Sequence, residues 1–252
     1  MKNAPDSLQV PAVEPGQRSA CSTTARGATA AVRLRGIQKA YRRGSNVEPV
    51  LRGVDLEVAE GRCCFLMGPS GCGKTTLLSI IGCVLRPDAG RVELFGEDVT
   101  ELDEERRAAV RRVRVGFVFQ RFHLLRGLTA LENVVVPMTL LGVSERLARQ
   151  RALELLELVG LRGQADQDPR TMSVGQCQRV AIARALANDP PLILADEPTA
   201  SLDADSGPHT MALLRTLAAE SGKTVIVVTH DARIVQFADV IYELNNGRIR
   251  PI

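Results

Sequence analysis

The stretch Gly68-Pro69-Ser70-Gly71-Cys72-Gly73-Lys74-Thr75-Thr76 (GPSGCGKTT) lies between the apolar run Cys63 to Met67, which reads as a buried strand, and Thr75 to Val84, which reads as a helix. Its order Gly-x-x-x-x-Gly-Lys-Thr is the phosphate-binding P-loop pattern. A triphosphate's negative charge has to be met by many donors at once, and backbone N–H groups can crowd it only where side chains are absent. Gly68, Gly71 and Gly73 leave that room. The following helix points its unpaired N–H groups and positive dipole end at the same spot. Lys74 can then reach the β and γ phosphates, and Thr75 can offer its hydroxyl to Mg²⁺. The plain alternative is a glycine-rich strand-to-helix turn with a surface lysine. Alone, the stretch says nucleotide and leaves the reaction open.

Outward from it, the chain of 252 residues is long enough to bury a sizeable core and suits one domain with subdomains. A net charge of +3, with both signs plentiful, does not argue for nucleic acid as the main partner. Trp is absent and Tyr occurs twice, so no platform for stacking single-stranded bases is apparent. The six cysteines show no CxxC spacing and no histidine at zinc-ligand distance, and they read as reduced thiols in or near the core. No apolar run approaches the about 18 residues that span a bilayer, and the N-terminus lacks a hydrophobic signal core. The chain is therefore expected to be soluble.

Met1 to about Ala30 is rich in Pro, Ser, Thr, Gly and Ala without an apolar period, which predicts a disordered tail. From Ala31 to Met67 the alternation of Val32 and Leu34, then Val54, Leu56 and Val58, predicts strands. Tyr41 could stack on a purine there or be an ordinary half-buried strand tyrosine. Gly90 to Phe95 closes a small antiparallel sheet. Glu101 to Arg114 is a charged helix, acidic early and basic late, whose arginines read as a solvated face. Val115 to Phe119 is a short strand ending at Gln120, a position from which a side chain could touch Mg²⁺ or water.

Phe122 to Gly142 is strongly apolar with Pro137 interrupting it, and Ser144 to Val159 makes an amphipathic helix with Leu147, Ala148, Ala152, Leu155, Leu156 and Val159 inward. Together they predict a helical subdomain inserted into the sheet. Its apolar surface is either that subdomain's core or a docking face for a partner helix. Ser173 and Gln176 form a capping box that starts the next helix and also leaves N–H groups for a phosphate supplied from outside. Pro191 to Pro198 is a strand apolar enough to be buried on both faces, ending in Asp196 and Glu197. P-loop chemistry divides their labour: Asp196 holds the Mg²⁺ shell and Glu197 accepts a proton from, or positions, the attacking water. A pair of surface acids is the bland alternative. A helix starting near Pro208, a buried strand from Thr224 to Val228 that delivers His230 to the same edge, and a hairpin at Asn245-Asn246-Gly247 complete the chain.

With these motifs in this order, residues 32 to 249 resemble the ATPase subunits of ABC transporters. The resemblance implies an α/β fold: a P-loop NTPase, RecA-like core, an antiparallel β subdomain and a helical subdomain at about 121–187 within a nucleotide-binding domain of residues 31–252. It implies ATP and Mg²⁺ as cofactors and a head-to-tail dimer with two ATPs between the subunits. Tyr41 would stack on adenine and residues 68–76 would hold the phosphates. Gln120 would be the Q-loop glutamine and Met172 to Gln176 the signature, with Ser173 and Gly175 against the γ-phosphate of the opposite subunit. Asp196 would be the Walker B carboxylate, Glu197 the catalytic base, Asp203 the D-loop aspartate and His230 the switch histidine.

FQRFHLLRGLTALENVVVP resembles the lipoprotein-release and macrolide-efflux ATPases, which implies a separate membrane permease and a place on the cytoplasmic face of the membrane. Two features depart from the family pattern. Val174 stands where the first glycine of the usual LSGGQ pair lies, and Ser206-Gly207-Pro208-His209 breaks a helix that is normally uninterrupted. Rival readings are a non-transport ABC ATPase acting on DNA or ribosomes, for which the chain lacks the insertions, and a nucleotide-gated regulator with weak hydrolysis.

Overall fold

The computed structural model describes residues 30–252 apart from positions 45, 204 and 205. The tail expected before residue 30 lies outside the described residues. Strands β1 (Ala30–Arg43) and β2 (Asn46–Ala59) form a long antiparallel pair in which Val32 faces Val58 and Leu34 faces Leu56. Strand β3 (Cys63–Met67) runs into the glycine-rich loop, and helix α1 (Lys74–Ile81) leaves it. Strands β4 (Ala89–Leu94) and β5 (Glu97–Asp98) complete a four-stranded antiparallel sheet of order β2-β1-β4-β5.

Helix α2 (Glu104–Arg114) begins at Glu104 because Asp103 caps it, accepting from the Arg106 N–H at 2.8 Å. Its arginines are not simply a solvated face. The Arg107 side chain is only 12% exposed, and Arg111 Nη1 donates to the Cys83 carbonyl at 2.7 Å. The long aliphatic stems cover apolar surface while the heads find partners.

Strand β6 (Val115–Val118) is followed by helices α3 (Ala130–Thr139), α4 (Glu145–Leu158) and α5 (Val174–Ala185), which pack on one another. Pro137 does not interrupt the apolar segment but sits inside α3. Its ring forfeits one donor, its own, and the helix continues past it, with Leu140 N reaching the Val136 carbonyl at 3.2 Å. Leu147 also departs from expectation. It is 49% exposed, on the outer stripe of α4 with Arg151, Glu154 and Leu158, while Ala148, Ala152, Leu155 and Leu156 face inward.

Strand β7 (Leu192–Asp196), helix α6 (Ser206–Ser221), and strands β8 (Thr224–Thr229), β9 (Val240–Asn245) and β10 (Arg248–Pro251) follow. Residues Ser206 to His209 open α6 and do not break it. Pro208 falls in the first turn, where its missing N–H is not needed, and Asp203 Oδ1 accepts from Ser206 N at 2.7 Å. The second sheet has the order β10-β9-β3-β8-β7-β6, parallel from β9 to β6. The β9–β10 hairpin turns through Asn246 (φ 49°) and Gly247 (φ 73°), the left-handed pair that a two-residue hairpin requires.

Successive side chains of a strand point to opposite faces, so a strand buried on both faces feeds two cores. Phe65, Ile193, Ala195, Val225 and Val227 pack on the helical side with Leu156, Ile182 and Met211. Leu66, Leu194, Ile226 and Val228 pack on the other side with Leu77, Ile80 and Ile81 of α1 and with Leu34 and Ile37 of the antiparallel sheet. Cys63, Cys64 and Cys83 are free thiols inside these cores, and burial pushes the thiols of Cys63 and Cys83 up to about 12 and about 11. They are inert packing groups.

Candidate functional site

Four strand ends lie side by side at the carboxyl edge of the parallel sheet. The order β3-β8-β7-β6 and the pairings Met67 with Thr229, Val228 with Asp196, and Ala195 with Val118 put the glycine-rich loop, His230, Asp196, Glu197 and Gln120 along one rim. Ligands of open α/β sheets bind outside this edge. A cleft of about 670 Å³ opens there, lined among others by Tyr41, Ser70, Gly71, Gly73, Lys74, Thr75, Thr76, Gln120, Asp196 and Glu197.

The loop is shaped by its glycines. Gly68 has φ 151°, and a Cβ on it would lie 2.1 Å from the Leu244 carbonyl oxygen. Gly73 has φ 106° and is the N-cap of α1, yet no side chain caps that helix and no acid stands in its first turn. Helices α2, α3 and α5 each carry a side-chain cap. The first N–H groups of α1 are therefore left open to an anion. Lys74 is 7% exposed, and its Nζ donates to the carbonyls of Gly68 at 2.8 Å and Pro69 at 3.0 Å. An ammonium has three donors, so one remains. A buried cation beside open N–H groups fits the phosphates of a nucleotide.

Thr75 Oγ1 donates to both oxygens of Asp196, at 3.2 and 3.1 Å. Burial raises the pKa of Asp196, and the charge of Glu197 adds to this, against the pull of the Thr75 hydroxyl and Lys74. These hard oxygens fit a Mg²⁺ held by one or two protein ligands together with phosphates and water. Among the described residues no group of three or more His, Cys, Asp and Glu side chains could hold a metal by itself.

Glu197 follows the end of β7 in a left-handed conformation, φ 48°, with its N–H bonded to the Val228 carbonyl at 2.8 Å. Left-handed backbone at a residue with a Cβ is strain of the kind found at functional sites. It turns the carboxylate so that Oε1 lies 2.7 Å from His230 Nδ1. An ionised carboxylate only accepts, so Nδ1 carries the proton. The Glu197 side chain is 13% exposed, against 58% for His230.

Ser173, Gly175 and Gln176 stand outside this cleft. Ser173 Oγ accepts from Gln176 N at 3.2 Å and Gln176 Oε1 accepts from Ser173 N at 2.8 Å, the expected capping box. The serine hydroxyl proton and the first N–H groups of α5 stay available. Gly175 faces the start of α6, where a Cβ on it would lie 3.4 Å from Ser206 Oγ. Cys72 is half-buried in the loop. No local pattern marks Arg184, which holds the loop behind Gln120, or Glu48, which shares the cleft wall with Tyr41. An arginine late in a helix and a glutamate on an edge strand look like ordinary surface charges until the tertiary partners are seen.

Residues 51–200 match the ABC transporter family. A lipoprotein-releasing system ATP-binding protein of Caulobacter vibrioides is 45% identical over 216 residues, covering 86% of this chain and 95% of that protein. A macrolide export ATP-binding/permease protein of Syntrophobacter fumaroxidans is 45% identical over 222 residues, 87% of this chain but 31% of that longer protein. A dimeric ATP-binding cassette of Methanocaldococcus jannaschii, in a post-hydrolysis state bound to ADP and Pi, superposes with a TM-score of 0.83 at 44% identity, covering 88% of this chain and 97% of that one. Fold, site geometry and likeness agree: the chain belongs to the ABC transporter family as an ATP-binding cassette, an ATPase.

Proposed function

We propose that this cassette is the motor of a transporter of the lipoprotein-release or macrolide-export type, in which two copies close head to tail over two ATPs and drive a separate membrane permease from the cytoplasmic face. One observation carries the shared-site reading. The open N–H groups, Lys74, Asp196 and Glu197 lie in one cleft, while the capping turn at Ser173, with its own free donors, lies outside it. A second copy can bring that turn to the phosphates; the same chain's does not line them. Among the described residues no helix is long and apolar enough to cross a membrane. The apolar side chains of Leu140, Leu141 and Leu147, exposed on the helical layer, supply a surface for that permease.

In this reading residues 31–252 form one nucleotide-binding domain, with the helical subdomain at about 121–187. Residues 68–76 wrap the phosphates and Tyr41 stacks on adenine. Thr75, Asp196 and Gln120 would hold Mg²⁺, which when bound neutralises developing charge on the phosphates. Glu197 takes a proton from water as the water oxygen bonds to the γ-phosphorus and the bond to the ADP oxygen breaks, giving ADP and Pi. His230 donates through Nδ1 to Glu197 and fixes the direction in which that carboxylate accepts. Ser173, Gly175 and Gln176 of the second copy complete the pocket.

Replacing Glu197 with Gln removes the base and keeps the binding groups. Sedimentation of Glu197→Gln with Mg²⁺-ATP is expected to show a stable dimer that the nucleotide-free protein does not form. A variant that stays monomeric at saturating ATP contradicts the shared site. Turnover measured with and without a co-expressed permease tests the motor assignment, which predicts stimulation by the permease.

A further inference from the structure

The antiparallel register of β1 and β2 pairs Tyr41 directly with Glu48. Directly paired residues put their side chains on the same face with Cβ atoms about 4.5–5.5 Å apart. Val50, the extra residue where the register shifts between Pro49 and Leu51, also lines the cleft, and a Cβ on Gly73 would lie 2.8 Å from its Cγ1. This part of the hairpin is thus the cleft wall lying against the glycine-rich loop. Tyr41 is 41% exposed, with Oη 3.4 Å from Thr76 Oγ1, so its ring stands over the start of α1.

Glu48 lines the same cleft, and among the described residues it has neither an ion-pair nor a hydrogen-bond partner, although Arg42 lines the cleft too. Charges on edge strands commonly serve to block edge-to-edge pairing. Such a charge has no reason to stand in the wall of a nucleotide cleft beside its aromatic ring.

We infer that Glu48 reads the base: its carboxylate accepts a hydrogen bond from the exocyclic amino group of the adenine stacked on Tyr41. This rests on the nucleotide-site reading above and extends it from the phosphates to the base. A carboxylate only accepts, so it rewards a base edge that carries N–H and gains nothing from one that carries C–H. Glu48 is exposed, so the contact discriminates between bases and leaves most of the affinity to the phosphates.

Isothermal titration of the full chain with Mg²⁺-ATP and with Mg²⁺-purine riboside triphosphate, in which hydrogen replaces the amino group, reads this directly. The wild type is expected to bind the purine analogue about tenfold more weakly, the scale of one charge-assisted hydrogen bond. Glu48→Ala should bring the two affinities to within about twofold by weakening ATP. Glu48→Gln, whose amide oxygen still accepts, should keep part of the gap. Equal binding of both triphosphates by the wild type, or a gap that survives in Glu48→Ala, overturns the inference and leaves the phosphate site standing. A wild type that binds neither triphosphate overturns both.

Discussion

Arg184 Nη2 donates to the Phe122 carbonyl at 2.7 Å, and its Nη1 takes the His123 carbonyl at 2.6 Å, so the last turn of α5 holds the loop that follows Gln120. Phe122 and His123 have φ 57° and 49°. Left-handed backbone costs about 1–2 kcal/mol at a residue with a Cβ, so this loop keeps its shape only because something outside it does the holding. Burial lowers the pKa of Arg184, and no carboxylate offsets it. Arg184→Ala is expected to lower stability in urea by about 2 kcal/mol. Arg184→Lys should recover only part of that, because an ammonium lacks the planar fork that serves two carbonyls at once.

Gly68 and Gly71 separate two reasons for glycine in the same loop. Gly71 has φ 80° with open space around a Cβ, so Gly71→Ala should cost about 1–2 kcal/mol from backbone strain alone. At Gly68 a Cβ would meet the Leu244 carbonyl oxygen at 2.1 Å, a backbone atom of β9 that cannot swing aside. Gly68→Ala should therefore be the more destabilising of the two. Equal urea midpoints for the two variants would contradict the close approach of loop and β9.

Asp196 gives the nucleotide-free protein a pH signature. Its raised pKa means that the folded protein keeps a proton the unfolded chain has released. Stability is therefore lost as pH rises from the unfolded value near about 4 through the raised folded value. Asp196→Asn removes that loss. Calorimetry without nucleotide or Mg²⁺ should show the variant melting above the parent at pH 7, with the advantage fading towards pH 3. Adding Mg²⁺-ATP should shrink or reverse the order, since a ligand that binds only the folded parent stabilises it by mass action.

Much of this was legible from residues alone because the signals were local. The strand at Cys63 to Met67, the acidic end of β7, the capping box at Ser173 and the turn at Asn246-Gly247 each follow from a short pattern with one physical solution. Errors arose where a residue's fate depends on distant partners. Leu147 matched the apolar period of α4 but lies half exposed on its outer stripe. Pro137 reads as a break, yet it sits inside α3 and forfeits one helix bond without ending the helix, while Pro208 opens α6 where a helix start is expected from its position. Arg107, Arg111 and Arg184 carried no sequence mark that set them apart from solvated arginines. Glu48 became informative only through the register that places it opposite Tyr41.

Val174 is 47% exposed as the first residue of α5, beside the serine of the capping turn. In the shared-pocket reading proposed above, a branched side chain there adds bulk beside the Ser173 turn that a second copy's phosphate would meet. In the Glu197→Gln background, Val174→Gly is expected to tighten the ATP-bound dimer several-fold, by about 1 kcal/mol. The change should also lower the thermal stability of the monomer slightly, because glycine is a poor helix former. A dimer no tighter than that of the parent would show that Val174 is accommodated without cost.

Mixing two inactive variants tests the shared pocket most directly. Lys74→Ala lacks the ammonium proposed to bind phosphate, and a Ser173→Arg, Gly175→Asp chain lacks the turn proposed to complete the second copy's pocket. Each alone should fail to hydrolyse ATP. Mixed in equal amounts, half of the dimers pair the intact loop of one chain with the intact turn of the other, and activity should return to about a quarter of the wild-type rate. A mixture as inactive as its components, or a Ser173→Arg, Gly175→Asp chain that cleaves ATP at the wild-type rate by itself, would contradict the account.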